Sequence, residues 1–156
     1  MAVTPPLIAG TPVQVGIVVH DVDEALPRYR ALFGERDWLV VENGPWNMHG
    51  LHIHGEPAPF SMRLALSGQH PQIELLQPLD GPSILDEWLA RRGEGLHHLG
   101  YVVDSIDDTI AAMHEQGYAC LQHGYGFNAD KSGAFAYFDT ERELGYLVEA
   151  LDLGNS

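Results

Sequence analysis

An internal repeat constrains the fold more than any other feature of the sequence. Two segments beginning at Val15 and Leu99, 84 residues apart, both read as a short β-branched run, an acidic turn and an amphipathic helix. A second matched pair, residues 73–76 and 148–151, lies 75 residues apart. Because both ends match in the same order, each copy reads as one βαβββ unit. The sequence therefore predicts an α+β fold with module one at 13–79 and module two at 96–152.

The segment between the two copies predicts a linking helix over residues 82–92. Pro82 stands near its start, apolar residues recur at helical spacing, and an Arg-Arg-Gly sequence closes it. Within module one, segment 43–59 is rich in Gly, Pro and His, which is typical of a long loop. A length of 156 residues suits a single domain over 1–156.

Composition excludes several classes of partner. Eight Lys and Arg against 22 Asp and Glu give a net charge of −14. This balance argues against nucleic acid and against an anionic membrane surface, which both attract basic residues. No apolar run reaches the roughly 20 residues that span a bilayer. Cys120 is the one cysteine, so an intrachain disulfide and a Cys-rich zinc site are excluded. We expect a cytoplasmic protein.

Four polar side chains occupy matched positions in the two copies. Gln14 and His98 begin the first strand of each copy, and Glu74 and Glu149 lie in the last strand. Either glutamate alone could face solvent on an alternating strand. Their matched positions and apolar neighbours favour burial, which a carboxylate tolerates when it is paired or metal-bound. One imidazole, two carboxylates and an amide suit Zn, Co, Ni, Mn or Fe(II).

Other polar and aromatic residues are candidates for substrate binding. Arg63 could clamp an anionic group of a substrate, or could be a solvated strand residue. His52 and His54 share a face if extended, and could form a substrate wall or an exposed loop. Tyr125 and Phe127 lie in a Gly-flanked segment and could line an apolar pocket.

The repeat with this polar quartet resembles the vicinal oxygen chelate superfamily, which includes glyoxalase I, methylmalonyl-CoA epimerase, extradiol dioxygenases and bleomycin-resistance proteins. The resemblance covers residues 13–151. Segments 73–79 and 93–104 look most like the epimerase branch. The resemblance implies that the two modules form a U-shaped, eight-stranded mixed sheet around a metal cavity, with the helices outside.

The resemblance also implies the ligands of one divalent metal ion, and this set is similar to that of the eukaryotic type of glyoxalase I. The implied ligands are Gln14, Glu74, His98 and Glu149. His98 aligns with Gln14 because each precedes an apolar-Gly-apolar triplet. We therefore expect His97 on the opposite face of the strand, in a structural role.

The chain departs from two family patterns. Glutathione-using glyoxalases carry Arg, Asn and Arg where this chain has Val18, Pro78 and Glu94. The partner base of the epimerases aligns with Arg63, which cannot serve as a carboxylate base. A glutathione hemithioacetal and a two-base CoA-ester epimerisation are therefore both disfavoured.

The resemblance implies a divalent-metal-dependent isomerase, epimerase or lyase that forms a metal-stabilised enolate from a small oxygen-chelating substrate. Glu149 is the expected base, with Glu74 as the alternate. One alternative is an Fe(II)-dependent extradiol-type dioxygenase, although that chemistry prefers two His and one carboxylate. The other is a metal-free binding or resistance protein. A homodimer is the expected assembly, as is common for small enzymes.

Overall fold

The computed structural model of the protein describes residues 4–68 and 70–155. Its strands are β1 (Gln14–Val18), β2 (Trp38–Asn43), β3 (His49–Ile53), β4 (Glu56–Pro57), β5 (Met62–Ser67), β6 (Gln72–Pro78), β7 (Gly95–Val102), β8 (Cys120–Tyr125), β9 (Ala134–Phe138) and β10 (Leu147–Asp152). Its helices are α1 (Val22–Phe33), α2 (Ile84–Arg92), α3 (Ile106–Glu115) and α4 (Glu141–Leu144).

The ten strands form one curled mixed sheet, a half-barrel, in the order β2-β5-β6-β1-β7-β10-β9-β8-β3-β4. The two halves repeat each other: β1 pairs in parallel with β6, and β7 pairs in parallel with β10. The antiparallel pair β1–β7 joins the halves at the centre. The predicted α+β fold is confirmed, with two strands more than the eight that we expected.

The two additional strands lie in the segment 43–59, so its interpretation as a long loop is wrong. Strand β3 pairs with β8, and β4 pairs with β3, which extends the edge of the second half. Only residues 44–48 connect β2 at one end of the sheet to β3 near the other end. The connection begins with a turn in which the Gly44 carbonyl accepts from Met48 N at 2.9 Å. This short link therefore crosses the open side of the half-barrel.

Helix ends follow local sequence signals. The Asp21 carboxylate caps α1 by accepting from Asp23 N at 2.8 Å, as its position predicts. The helix ends before Gly34, whose φ of 80° is one that glycine adopts at little cost. Ser83 caps α2 in a capping box with Asp86. No helix in the described part of the chain is long and apolar enough to cross a membrane.

The core divides according to the two faces of the sheet. On the outer face, α1 packs on the first half through residues such as Ala25 against Leu75, and α3 packs on the second half through Met113 and its neighbours. On the inner face, Trp88 of α2 joins the largest apolar cluster together with Val18. Because side chains alternate along each strand, the remaining inner-face positions of the central strands line the interior of the half-barrel.

Candidate functional site

The four predicted metal ligands come from the four central strands and meet on the inner face of the sheet. Gln14 lies on β1, Glu74 on β6, His98 on β7 and Glu149 on β10. Their exposed fractions are 6%, 7%, 0% and 2%, so water does not solvate their polar atoms as it would at a surface. The repeat sets this convergence, because each pair occupies equivalent strands of the two halves.

Three oxygen atoms surround Nε2 of His98. Oε2 of Glu149 lies at 3.0 Å, Oε1 of Gln14 at 3.1 Å and Oε1 of Glu74 at 3.4 Å. The potential ligand atoms of the His and the two Glu all lie within 4.8 Å of one another. The His98 ring occupies the space above Gly16, where an added Cβ would lie 2.0 Å from Cε1 of His98. A glycine is therefore required opposite this imidazole.

Burial dominates the electrostatics of the cluster. It raises the pKa of Glu74 to about 8, and raises that of Glu149 well above its usual range with help from the neighbouring Glu74 charge. Burial also lowers the pKa of His98 to about 3. All three shifts favour the neutral groups, and in the described part of the chain no Lys or Arg side chain pairs with the buried carboxylates. A bound divalent cation would reverse this balance and favour both carboxylates in the ionised form.

The atoms that the four side chains offer are suitable ligands for a divalent cation. Oε1 of Glu74 is buried and has no hydrogen-bond partner among the described residues. A lone pair of this oxygen is therefore available to a cation in the cluster. The cluster contains a neutral imidazole, two carboxylates and an amide oxygen, which is a set used by zinc and by the harder first-row ions. A buried Glu-His-Glu cluster that could bind a metal is thus present.

A cavity of about 1030 Å³ opens beside this cluster. Gln14, Glu74 and Glu149 lie in its wall, and most of the remaining wall is apolar. Both halves of the protein contribute, through β2 and β5 on one side and β9 and β10 on the other. A cavity of this kind beside converging polar groups is the usual form of a small-molecule site.

A family model described as the glyoxalase/bleomycin resistance protein/dioxygenase superfamily matches residues 13–138. The chain belongs to this superfamily. Glu149 lies beyond the matched segment, and the structure brings it to the three residues within it. No curated protein sequence matches the chain.

Solved structures show the same superfamily fold. A hypothetical protein from Bacillus halodurans C-125 matches with a TM-score of 0.60 and 22% identity over 94% of this chain and 96% of that one. Methylmalonyl-CoA epimerase from Mycobacterium tuberculosis matches with a TM-score of 0.60 and 22% identity over 97% of this chain and 92% of that one. A Streptomyces coelicolor methylmalonyl-CoA epimerase variant in complex with 2-nitronate-propionyl-CoA matches with a TM-score of 0.57 and 21% identity. The match covers 93% of this chain and 97% of that one. At these identities the likeness concerns the fold.

The sequence analysis did not identify three residues that lie beside the buried Glu-His-Glu cluster. Gln72 accepts from Nε2 of Gln14 at 2.9 Å, which leaves the Gln14 oxygen facing His98. Its place two residues before Glu74 on the same strand face was a usable signal. Tyr137 lines the cavity and its hydroxyl donates to Glu149. Nothing in the apolar sequence of β9 singles this tyrosine out.

The third missed residue is His97, which was expected on the opposite strand face. A β-bulge corrects that expectation: Gly16 pairs with His98 while Ile17 pairs with Leu96, so His97 is the extra residue. The bulge turns its ring inward, where Nδ1 of His97 lies 2.9 Å from Nδ1 of His98. A single strand read at strict period two cannot reveal such an insertion.

Of the predicted substrate-binding residues, the structure brings Phe127 into the cavity wall. Tyr125 lies instead on a separate pocket of about 290 Å³, where its hydroxyl donates to Asp107. His52 stacks on His123 with ring centroids 4.7 Å apart, and His54 pairs with Glu87 on α2. These three side chains do not line the cavity beside the buried Glu-His-Glu cluster.

The structure does not bring Arg63 to the cavity. Along β5, Met62 and Leu64 face inward, and alternation directs Arg63 to the outer face. There its guanidinium donates to Asp23 at 3.0 Å and to Glu42 at 3.3 Å. The expectation that it clamps a substrate anion therefore lacks geometric support.

Proposed function

We propose that the protein is a divalent-metal-dependent isomerase, epimerase or lyase that removes a proton next to a carbonyl group. Its substrate would be a small molecule with two adjacent oxygen atoms. The observation that carries the proposal is the convergence of two buried carboxylates and an amide oxygen on one imidazole nitrogen, without a Lys or Arg partner among the described residues. Gln14, Glu74, His98 and Glu149 would hold the metal.

The side chains of this chain divide the remaining work. When bound, a divalent cation supplies Lewis-acid stabilisation of the enolate that forms as the proton leaves. Glu149 takes the proton at a carboxylate oxygen, and Tyr137 holds that carboxylate through its hydroxyl. Glu74 is the alternate base, because its Oε1 has no hydrogen-bond partner. The apolar walls limit water near the reacting carbon.

The cavity favours a single-base reaction over a two-base epimerisation. The inward positions of β5 are Met62, Leu64 and Leu66, and none can accept a proton. Glu42 lies at the cavity edge on β2, but strand alternation turns its carboxylate to the outer face, where it accepts from Arg63. For an Fe(II) dioxygenase the donor set is one imidazole short, because Nδ1 of His97 faces His98.

Elemental analysis of the purified, untagged protein tests the proposal. We expect about one divalent ion per chain, lost in His98→Ala and in Glu74→Ala but retained in His114→Ala, a change on the exposed surface of α3. Iron in the site would favour the dioxygenase alternative. Absence of bound metal, with no uptake of Zn, Co, Ni or Mn, would reject the metal-dependent mechanism and favour the metal-free binding protein.

Two further features stay proposals, namely a homodimer and a cytoplasmic location. Several large apolar side chains are exposed, among them Leu32 and Phe33 at the end of α1. Light scattering during size-exclusion chromatography measures the assembly directly. A monomeric mass at micromolar concentration would contradict the dimer.

A further inference from the structure

The walls of the cavity beside the buried Glu-His-Glu cluster are built mostly from apolar side chains. Leu39 and Val41 come from β2, Met62, Leu64 and Leu66 from β5, and Phe135 from β9. The polar groups are concentrated at the cluster, at His70 and among the asparagines near the rim. A ligand that fills this space therefore exchanges water for hydrocarbon over most of its surface.

Among the described residues, three acidic side chains and one histidine belong to the cavity wall. They are Glu74 and Glu149 at the cluster, Glu42 at the edge with its carboxylate paired to Arg63, and the histidine His70. The chain as a whole carries a net charge of −14. This overall charge opposes an anionic ligand, and the buried Glu74 and Glu149, neutral without a cation and compensated with one, offer it no positive partner.

The basic residues lie elsewhere. Arg63 is held on the outer face, and Arg91 and Arg92 both pair with Glu141. Arg28 pairs with Glu94 and Arg30 with Glu35. None of the eight Lys and Arg lines the cavity.

Lys131 is the basic residue that approaches the rim. Its Nζ donates to the backbone carbonyl of Asn47 at 3.3 Å, and its side chain lines the separate small pocket. One exposed ammonium group does not match the several phosphates of a coenzyme A molecule, each of which needs positive partners.

We infer that the cavity takes a neutral, predominantly apolar substrate, such as an aromatic or alicyclic α-hydroxyketone, and not a coenzyme A thioester or a glutathione conjugate. The two adjacent oxygens of this substrate class rest on the proposed function. That the substrate is neutral and mostly apolar is inferred from the residues of the cavity wall alone. The inference separates this chain from structural neighbours that bind methylmalonyl-CoA and 2-nitronate-propionyl-CoA.

Ligand-observed NMR with zinc-loaded and metal-free protein tests the inference. The neutral probes are acetoin, α-hydroxyacetophenone and benzoin, in order of increasing apolar area. The anionic probes are propionyl-CoA and S-lactoylglutathione. We expect affinity to rise along the neutral series, and the best neutral probe to bind at least about tenfold more tightly than either anion.

A matched pair of variants assigns the binding to the cavity. Val41→Trp places an indole in the cavity from β2, while Val40→Trp makes the same change at the neighbouring residue, which is 36% exposed and outside the cavity wall. We expect Val41→Trp to weaken benzoin binding about tenfold or more and Val40→Trp to leave it within about twofold. Leu39→Trp, at a position 60% exposed on the rim, gives a second test that does not disturb the core.

Each outcome decides the matter. The inference is overturned if an anionic probe binds as tightly as the best neutral one and is displaced by Val41→Trp, or if none of the neutral probes binds. Metal content is measured in the same samples. Benzoin binding in the cavity of a protein that takes up no metal would reject the proposed function and leave this inference standing, and metal uptake without neutral binding would do the reverse.

Discussion

Nδ1 of His97 and Nδ1 of His98 lie 2.9 Å apart in the interior of the protein, so one hydrogen is shared between them. Edge-on contacts with Trp88 and Tyr137 hold the His97 ring in place. For Nε2 of His98 to offer a lone pair to a cation, its Nδ1 must carry the hydrogen and donate it to His97. We therefore predict that His97 positions His98 for binding a metal ion.

Replacing His97 tests this role. We expect His97→Leu to weaken zinc affinity by about 10- to 100-fold, as is typical when a partner of a ligating histidine is lost. His97→Asn should restore most of the affinity, because an asparagine oxygen can take the place of Nδ1 as acceptor. Competition with a chelator measures both constants. Equal affinity in the two variants and in the unchanged protein would show that His97 only packs.

Gly16 is predicted to be essential because His98 occupies the space of its absent side chain. An alanine Cβ there would lie 2.0 Å from Cε1 of His98, so the imidazole must move. We expect Gly16→Ala to lose bound metal by elemental analysis. Gly68→Ala is the control, since no atom lies within 4 Å of its added Cβ. Full metal content in Gly16→Ala would contradict the described placement of His98.

Glu149 is predicted to carry the proton transfer. We expect Glu149→Gln to keep the fold and much of the metal, yet to slow α-proton exchange by about 10²- to 10⁴-fold. The measurement is deuterium incorporation into whichever α-hydroxyketone binds, with Glu115→Gln as an exposed control. Unchanged exchange in Glu149→Gln would remove it as the base and transfer the role to Glu74.

The metal-free protein should lose stability as the pH rises from about 6.5 to 8. Burial raises the folded pKa of Glu74 to about 8, above the roughly 4.3 of an unfolded chain, so only the unfolded state is ionised in this window. The loss is at most about 1.4 kcal/mol per pH unit for this group. His98, with a folded pKa of about 3, opposes folding only below its unfolded value of about 6.5.

Thermal unfolding across this pH range measures the effect. We expect the midpoint to fall by about 2–4 °C per pH unit, and Glu74→Gln to flatten the slope. Glu115→Gln should leave the slope unchanged, because it removes an exposed carboxylate. Zinc should also flatten it, because the cation favours the ionised carboxylates. A flat profile in the metal-free protein would mean that water reaches Glu74.

The repeat made the convergence of four polar side chains predictable. Equivalent positions in two copies of one unit must occupy equivalent strands, so Gln14 with His98 and Glu74 with Glu149 mark one place in the fold. The sequence also contained the capping signal at Asp21, because a cap depends on neighbours within one turn of helix. These features are local, or are repeated copies of something local.

The tertiary structure decided what depends on contacts between distant strands. A bulge opposite Gly16 turned the His97 ring toward His98, and strand alternation placed Arg63 on the outer face. Segment 43–59 became part of the sheet only because the edge of β8 was available for pairing. The sequence by itself determined which residues are chemically capable of holding a metal. Packing of the two halves decided the surroundings of those residues, because burial and charge pairing arise only when distant strands meet.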